Sequence, residues 1–248
     1  MAVIGIMDSG FGGLSVYREI RRLLPEARYI YYSDAANCPY GGKTAGFVRE
    51  RCFRITDLLL SKGADVIVVA CNTATSAAIA GLRAAYDVPF IGMEPAVKPA
   101  ALGTGSGVIG VLATAGTLKG SKYLDMKGRY CDAVKVVEQV GNGFVELVEA
   151  GRLDGPEVEE TVRRSLAPLL ESGADIIVLG CTHYPFLLPV MRRVAGPGVT
   201  FIDPAPAVAR HLCEVMEQKG IPAADDSPGF EYLSSDENTG KNIIPFEA

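Results

Sequence analysis

Short apolar runs rich in β-branched residues alternate along this chain with longer stretches of helical spacing. "AVIGIM" reads as a buried strand, and "GGLSVYREIRRLL" as the helix that follows it. "ARYIYYSD" is a second strand. "TAGFVRERCFRITDLLLSKG" is a long amphipathic helix that stops at a glycine, as a C-terminal cap should. "DVIVVA" is a third strand, "TATSAAIAGLRAAY" a helix and "PFIGM" a fourth strand. Alternation of this kind predicts a parallel sheet covered on both faces.

The pattern then restarts. "GVIGVLAT" at Gly107 echoes "AVIGIMDS" at Ala2, an offset of 105, and "ESGADIIVLGC" echoes "SKGADVIVVAC" at an offset of 110. The fold expected is therefore α/β, with two doubly wound parallel-sheet domains related by a pseudo-twofold and an active site in the cleft between them. The expected division is 1–96 plus 205–248 for the first domain and 97–204 for the second, crossing near "PAVKPAALGTGSG". The last helix, "PAVARHLCEVMEQKG", and the strand "FEYLSSD" are expected to return to the first domain. Parallel sheets bind ligands beyond the carboxyl ends of their strands. Asp8, Ser9, Cys71, Thr114 and Cys181 all fall at such ends. If the domains face each other, Cys71 and Cys181 do too.

Composition narrows the classes. The 248 residues suffice for a full core. A net charge of −5 gives no footprint for nucleic acid. No apolar run approaches the roughly 20 residues that cross a bilayer, and the N-terminus has no secretory pattern. The six cysteines, Cys38, Cys52, Cys71, Cys131, Cys181 and Cys213, form no C-x-x-C pair. A reducing, cytoplasmic setting is expected, with Cys38, Cys52, Cys131 and Cys213 structural.

Cys71 and Cys181 each follow a buried strand and precede a helix, where backbone N–H groups and the dipole favour thiolate. A thiolate can act as nucleophile, metal ligand or base. Hydrolysis needs one cysteine and a histidine, which leaves the second thiol superfluous. A metal needs further ligands, and the chain has only His183 and His211, with no ligand-spaced cluster. Base chemistry uses the symmetry: one thiolate takes a proton from a carbon, and a thiol on the opposite face returns one. That is a two-base racemase or epimerase. It needs no cofactor if hydrogen bonds stabilise the carbanion. Asp8 and His183 are the proton partners at hand for Cys71 and Cys181. Asn72, Thr73 and Thr182, with nearby N–H groups, are neutral donors for carboxylates.

"IGIMDSGFGGLSV", "DAANCPYGGKT", "VVACNTATSAA", "GVLATAGTLKGSKY" and "LGCTHYPFLLPV" together resemble the bacterial glutamate racemases, cofactor-independent members of the aspartate/glutamate racemase superfamily. The resemblance spans roughly residues 4–203, with an echo at "YLSSD". It implies that Cys71 acts on D-glutamate and Cys181 on L-glutamate, with Asp8 and His183 assisting. It places Asp8, Ser9, Tyr40, Gly41, Asn72, Thr73, Thr182 and His183 at substrate-contacting positions, and Glu149 near the second thiol. It further implies a homodimer and a D-glutamate product destined for peptidoglycan. Two departures stand outside the thiol motifs: "VGNGF" replaces a frequent Cys-Pro before "FV", and Pro204-Ala205 replaces Ser-Gly after "ID".

Other readings make distinct demands. An aspartate racemase would prefer aspartate to glutamate. A cysteine hydrolase or lyase would use Cys181 and His183 and survive loss of Cys71. An amino-acid binder would hold ligand without isotope exchange. "DSGFGG" could cradle phosphate, although the P-loop lysine is missing. Thr114 and Thr117 either contact substrate or cap the next helix. His183 alone would read as a helix cap, Glu149 as a solvated helix residue, and His211 as structural.

Overall fold

The computed structural model describes residues 2–236. It divides into two compact units, one holding the chain up to Met93 and resuming at Ala205, the other Glu94–Pro204.

The first unit runs β1 (Val3–Asp8), α1 (Leu14–Leu23), β2 (Arg28–Ser33), α2 (Ala45–Ser61), β3 (Val66–Val69), α3 (Asn72–Ala85) and β4 (Phe90–Gly92). The second contributes α4 (Val97–Gly103), β5 (Val108–Ala113), α5 (Ala115–Leu118), α6 (Ser121–Tyr130) and β6 (Lys135–Val140). It continues with α7 (Phe144–Glu149), α8 (Pro156–Glu171), β7 (Ile176–Gly180), α9 (Leu188–Ala195) and β8 (Thr200–Ile202). The chain then adds α10 (Ala205–Lys219) and β9 (Gly229–Ser234) to the first unit.

The first sheet has the order β4-β3-β1-β2-β9 and the second β6-β5-β7-β8. Every pairing in both is parallel. The expected fold class, two parallel-sheet α/β domains, is what the chain forms. In each sheet the unit's first strand is central, its second lies on one side, and its third and fourth lie on the other. β9 adds an edge to the first sheet by pairing with β2 in register, Arg28 opposite Gly229 through Ser33 opposite Ser234.

Strand alternation divides the core residues between two faces. Val3 and Met7 of β1, Ile30 of β2 and Ile67 and Val69 of β3 pack against Val48, Ile55 and Leu59 of α2 and Ala78 and Leu82 of α3. On the other face, Tyr17 of α1 meets the rings of Tyr29 and Phe230 at 5.0 and 4.5 Å between centroids. The second unit places Val97 and Ala100 of α4 and Tyr123 of α6 against Ile109, Val111 and Val178.

Small residues let helices lie close on these sheets. A Cβ on Gly5 would come within 3.2 Å of Leu59, and one on Gly110 within 3.1 Å of Leu169. α2 and α8 end alike. Gly63 and Gly173 take φ of +89° and +83°, the left-handed region that L side chains avoid. Their N–H groups bond back to Leu60 and Leu170, and those of Ala64 and Ala174 to Leu59 and Leu169. Among the described residues, no helix is long and apolar enough to cross a membrane.

Candidate active site

In the first unit the sequence candidates gather at the carboxyl ends of β1 and β3. These neighbouring strands pair through Met7 and Val69. Asp8 ends β1 and is buried, and its Oδ2 accepts the Gly13 N–H at 2.6 Å. The glycine-rich turn thus folds back onto Asp8. Tyr31 donates to the Gly10 carbonyl at 2.7 Å, and a Cβ on Gly13 would lie 2.7 Å from the Tyr31 oxygen. An N–H already given to the chain's own carboxylate makes a poor phosphate cradle. Ser9 follows, buried, its Oγ 4.0 Å from Cys38 Sγ.

Cys71 is the N-cap of α3, in an extended conformation, and its Sγ accepts the Ala74 N–H at 3.5 Å. A sulfur at this position receives the first turn's N–H group and its dipole, the two features that favour a thiolate. Asn72 and Thr73 begin the helix, and both are buried. Neither side-chain polar atom of Asn72 has a hydrogen-bond partner among the described residues. Leaving a buried amide unsatisfied costs about 1–3 kcal/mol. A site that binds a polar ligand recovers that energy when occupied. Tyr40 and Gly41 form a short 3-10 turn with Gly42; Tyr40 is buried and Gly41 half-buried.

In the second unit Cys181 follows β7 and is buried. Its Sγ lies 3.7 Å from His183 Nδ1, and His183 Nε2 lies 2.5 Å from Glu149 Oε1. The order carboxylate, imidazole, thiol is therefore built into one unit. Glu149 fixes the ring's orientation and favours a proton on the nitrogen facing it. Glu149 is not the solvated helix residue that its place at the end of α7 allowed. His183 starts the 3-10 turn Tyr184–Leu187 without a side-chain capping bond, so capping does not account for it.

Thr182 is buried beside this group. Thr114 caps α5 by accepting the Thr117 N–H at 3.2 Å, and the two hydroxyls are 3.0 Å apart. Thr114 thus caps the helix, one of the two roles its position allowed. Tyr184 is wholly enclosed, and burial, reinforced by Cys181, pushes its phenol well above the usual range. Its ring meets Phe144 of α7 edge-on at 5.0 Å, which seats the helix that carries Glu149. His211 lies exposed on α10, 3.4 Å from Glu214.

The sequence reading did not find Asp34, a wholly buried carboxylate just past β2. Its signal was present: an aspartate beyond a strand's carboxyl end, as at Asp8.

Known proteins resemble this chain over most of its length. A family model described as Asp/Glu/Hydantoin racemase matches residues 4–212. The glutamate racemase of Methylococcus capsulatus is 50% identical over 232 residues, covering 94% of this chain and 86% of its own. That of Ectopseudomonas mendocina is 48% identical over 235 residues, covering 94% and 89%. The crystal structure of Escherichia coli glutamate racemase, in complex with L-glutamate and the activator UDP-MurNAc-Ala, superposes with a TM-score of 0.90. It is 34% identical, covering 98% of this chain and 93% of the other. With two parallel sheets, a thiol at the end of the third strand in each and a family match over most of its length, the chain belongs to the Asp/Glu/Hydantoin racemase family.

Proposed function

We propose that this protein interconverts L- and D-glutamate with two thiols and no cofactor, and that its D-glutamate supplies peptidoglycan synthesis in the cytoplasm. The observation that carries the reading is the matched placement of Cys71 and Cys181, one beyond the third strand of each unit and each beside its own polarising group. The names of the relatives supply the substrate.

In the direction from L to D, Cys181 thiolate removes the α-proton, and His183, held by Glu149, supports the charge change at sulfur. Cys71 thiol delivers its proton to the opposite face of the carbanion. The cycle leaves Cys181 protonated and Cys71 as thiolate, which is the starting state for D-glutamate. Asp8 serves as Cys71's proton partner. Neutral donors, Ser9, Asn72, Thr73 and Thr182 with the Tyr40–Gly41 backbone, hold the carboxylates. The buried amide of Asn72 supports a polar ligand there. The assembly proposed is a homodimer.

The test is incubation of the reduced protein with L-glutamate in D₂O without added cofactor, followed by NMR and polarimetry. Deuterium entering the α-position as rotation decays to zero is the expected result. Absence of exchange overturns the reading, and a parallel run with aspartate separates the two acidic substrates.

A further inference from the structure

The turn that carries Tyr40 and Gly41 is held through Asp34 by Arg51, a residue outside every motif of the site. Tyr40 is buried, and its hydroxyl donates to Asp34 Oδ2 at 2.5 Å. The phenol is thus committed inward. What the turn offers a ligand is its backbone and its shape. A carboxylate as deeply buried as Asp34 requires partners. Arg51 of α2 supplies them as a fork, Nε to Oδ2 at 2.9 Å and Nη2 to Oδ1 at 2.8 Å. Asn37 adds a bond to Oδ1 at 3.0 Å. The Asp34 N–H in turn donates to the Asp8 carbonyl at 2.9 Å.

Burial by itself would raise the Asp34 pKa. The hydrogen bonds from Arg51, Tyr40, Asn37 and Ser235 outweigh it and hold the carboxyl below its ordinary range. One guanidinium therefore joins three pieces of the first unit: the strand end bearing Asp8, the Tyr40 turn and helix α2. The geometry is particular to arginine, because a lysine ammonium cannot reproduce a planar, two-pronged contact.

We propose that Arg51 is a positioning residue for substrate binding, fixing through Asp34 the Tyr40–Gly42 turn against which glutamate is held. The proposal rests on the glutamate racemase reading for the identity of the ligand. The clamp is a property of the first unit alone.

The experiment compares wild type with Arg51→Met, Arg51→Lys, Tyr40→Phe and Arg51→Lys/Tyr40→Phe. It measures kcat and KM for L-glutamate and amide exchange across residues 38–43. For Arg51→Met, KM should rise about tenfold while kcat stays within about threefold, and exchange in the turn should accelerate. Arg51→Lys, which keeps the charge but not the fork, should show the same split at smaller size. It carries the test if Arg51→Met does not fold. Adding Arg51→Lys to Tyr40→Phe should change KM no further, because both reach the turn through Asp34. A folded variant with wild-type KM and wild-type exchange overturns the proposal, as does loss of kcat at unchanged KM. If wild type itself does not turn over glutamate, the function reading fails. Exchange then decides the clamp alone: faster in the variants supports it, and unchanged overturns it.

Discussion

Cys71 and Cys181 end equivalent strands in two copies of one α/β plan, yet the groups that serve them differ in kind and in origin. Cys71 caps a 14-residue helix and takes an N–H from it. Cys181 precedes a short 3-10 turn and faces an imidazole instead. In the first unit an aspartate, Asp8, ends the central strand. At the corresponding place in the second unit stands Ala113. There the carboxylate, Glu149, comes from α7, in the segment between the second strand and the long helix. The first unit uses the same segment for the Tyr40 turn and its Asp34 clamp. Scaffold positions, by contrast, repeat faithfully. Gly5 and Gly110 admit a helix, Gly63 and Gly173 end one, and Asp65 and Asp175 tie the start of the third strand to the approach or start of the first. Packing dictates residue identity inside a sheet. At the carboxyl ends of strands it does not, and chemistry can diverge there.

The sharpest break in the comparison is removal of either sulfur. Cys71→Ala and Cys181→Ala should each lower racemisation by about 10²–10⁴-fold or more, the scale of a lost acid–base group. A hydrolase or lyase built on Cys181 would lose activity in only the second variant, so equal loss is the outcome that upholds two bases. The measurement is initial-rate polarimetry with folding checked by circular dichroism.

Glu149→Gln should come next, lowering kcat/KM by about tenfold to a hundredfold. The equilibrium constant of a racemisation is one, so kcat/KM must fall equally for L- and D-glutamate. The two kcat values are free to separate, and unequal kcat changes would locate the defect on the Cys181 side. If the variant matches wild type in both directions, the bond to His183 is structural only.

Gly180→Ala tests a place where the copies are not interchangeable. The equivalent residue in the first unit is Ala70, but a Cβ on Gly180 would sit 2.6 Å from Ala113 Cβ. The substitution should cost about 1–3 kcal/mol in denaturant unfolding, the range of an overpacked core. A stability within 0.5 kcal/mol of wild type, roughly the effect of a surface change, would show that β5 and β7 separate easily.

The smallest effect concerns the paired aspartates. Asp65 accepts the Val3 N–H at 2.9 Å. Asp175 accepts the Thr104 hydroxyl at 2.6 Å and the N–H groups of Gly105 and Ser106 at 2.7 and 2.9 Å. The Thr104 hydrogen bond, with those two backbone groups, lowers the Asp175 pKa from 3.8 to about 2. A depressed carboxylate stabilises the fold above its unfolded pKa, and that contribution is lost as pH falls through the folded value. Asp175→Asn should therefore be less stable than wild type near neutrality, and the gap should close between pH 3.8 and about 2. Unfolding curves of both proteins across that window check it. A gap that persists unchanged would assign the effect to geometry and not to charge.

Much of this was legible in the chain. The apolar runs of β1, β3, β5 and β7 announced parallel strands, because such strands are buried on both faces. Gly63 marked a helix end because the left-handed backbone favours glycine. The repeat itself pointed to Cys71 and Cys181. Glu149 was legible only through resemblance: it lies 34 positions from His183, beyond any local periodicity. Asp34 stands just past a strand, a place the chain does show, but its partner Arg51 was hidden for a similar reason. An arginine in an amphipathic helix reads as a solvated face, and only the fold brings its fork to a carboxylate that ends another strand.

The sequence by itself determined the strand–helix order, the doubled plan and the two thiols, because periodicity, glycine and repetition act over a few neighbouring residues. Tertiary structure decided which partner each group received: Glu149 for His183, Arg51 for Asp34, β9 for β2. Those pairings join residues whose separation along the chain carries no signal. They form because buried charges and backbone groups must find partners wherever folding places them.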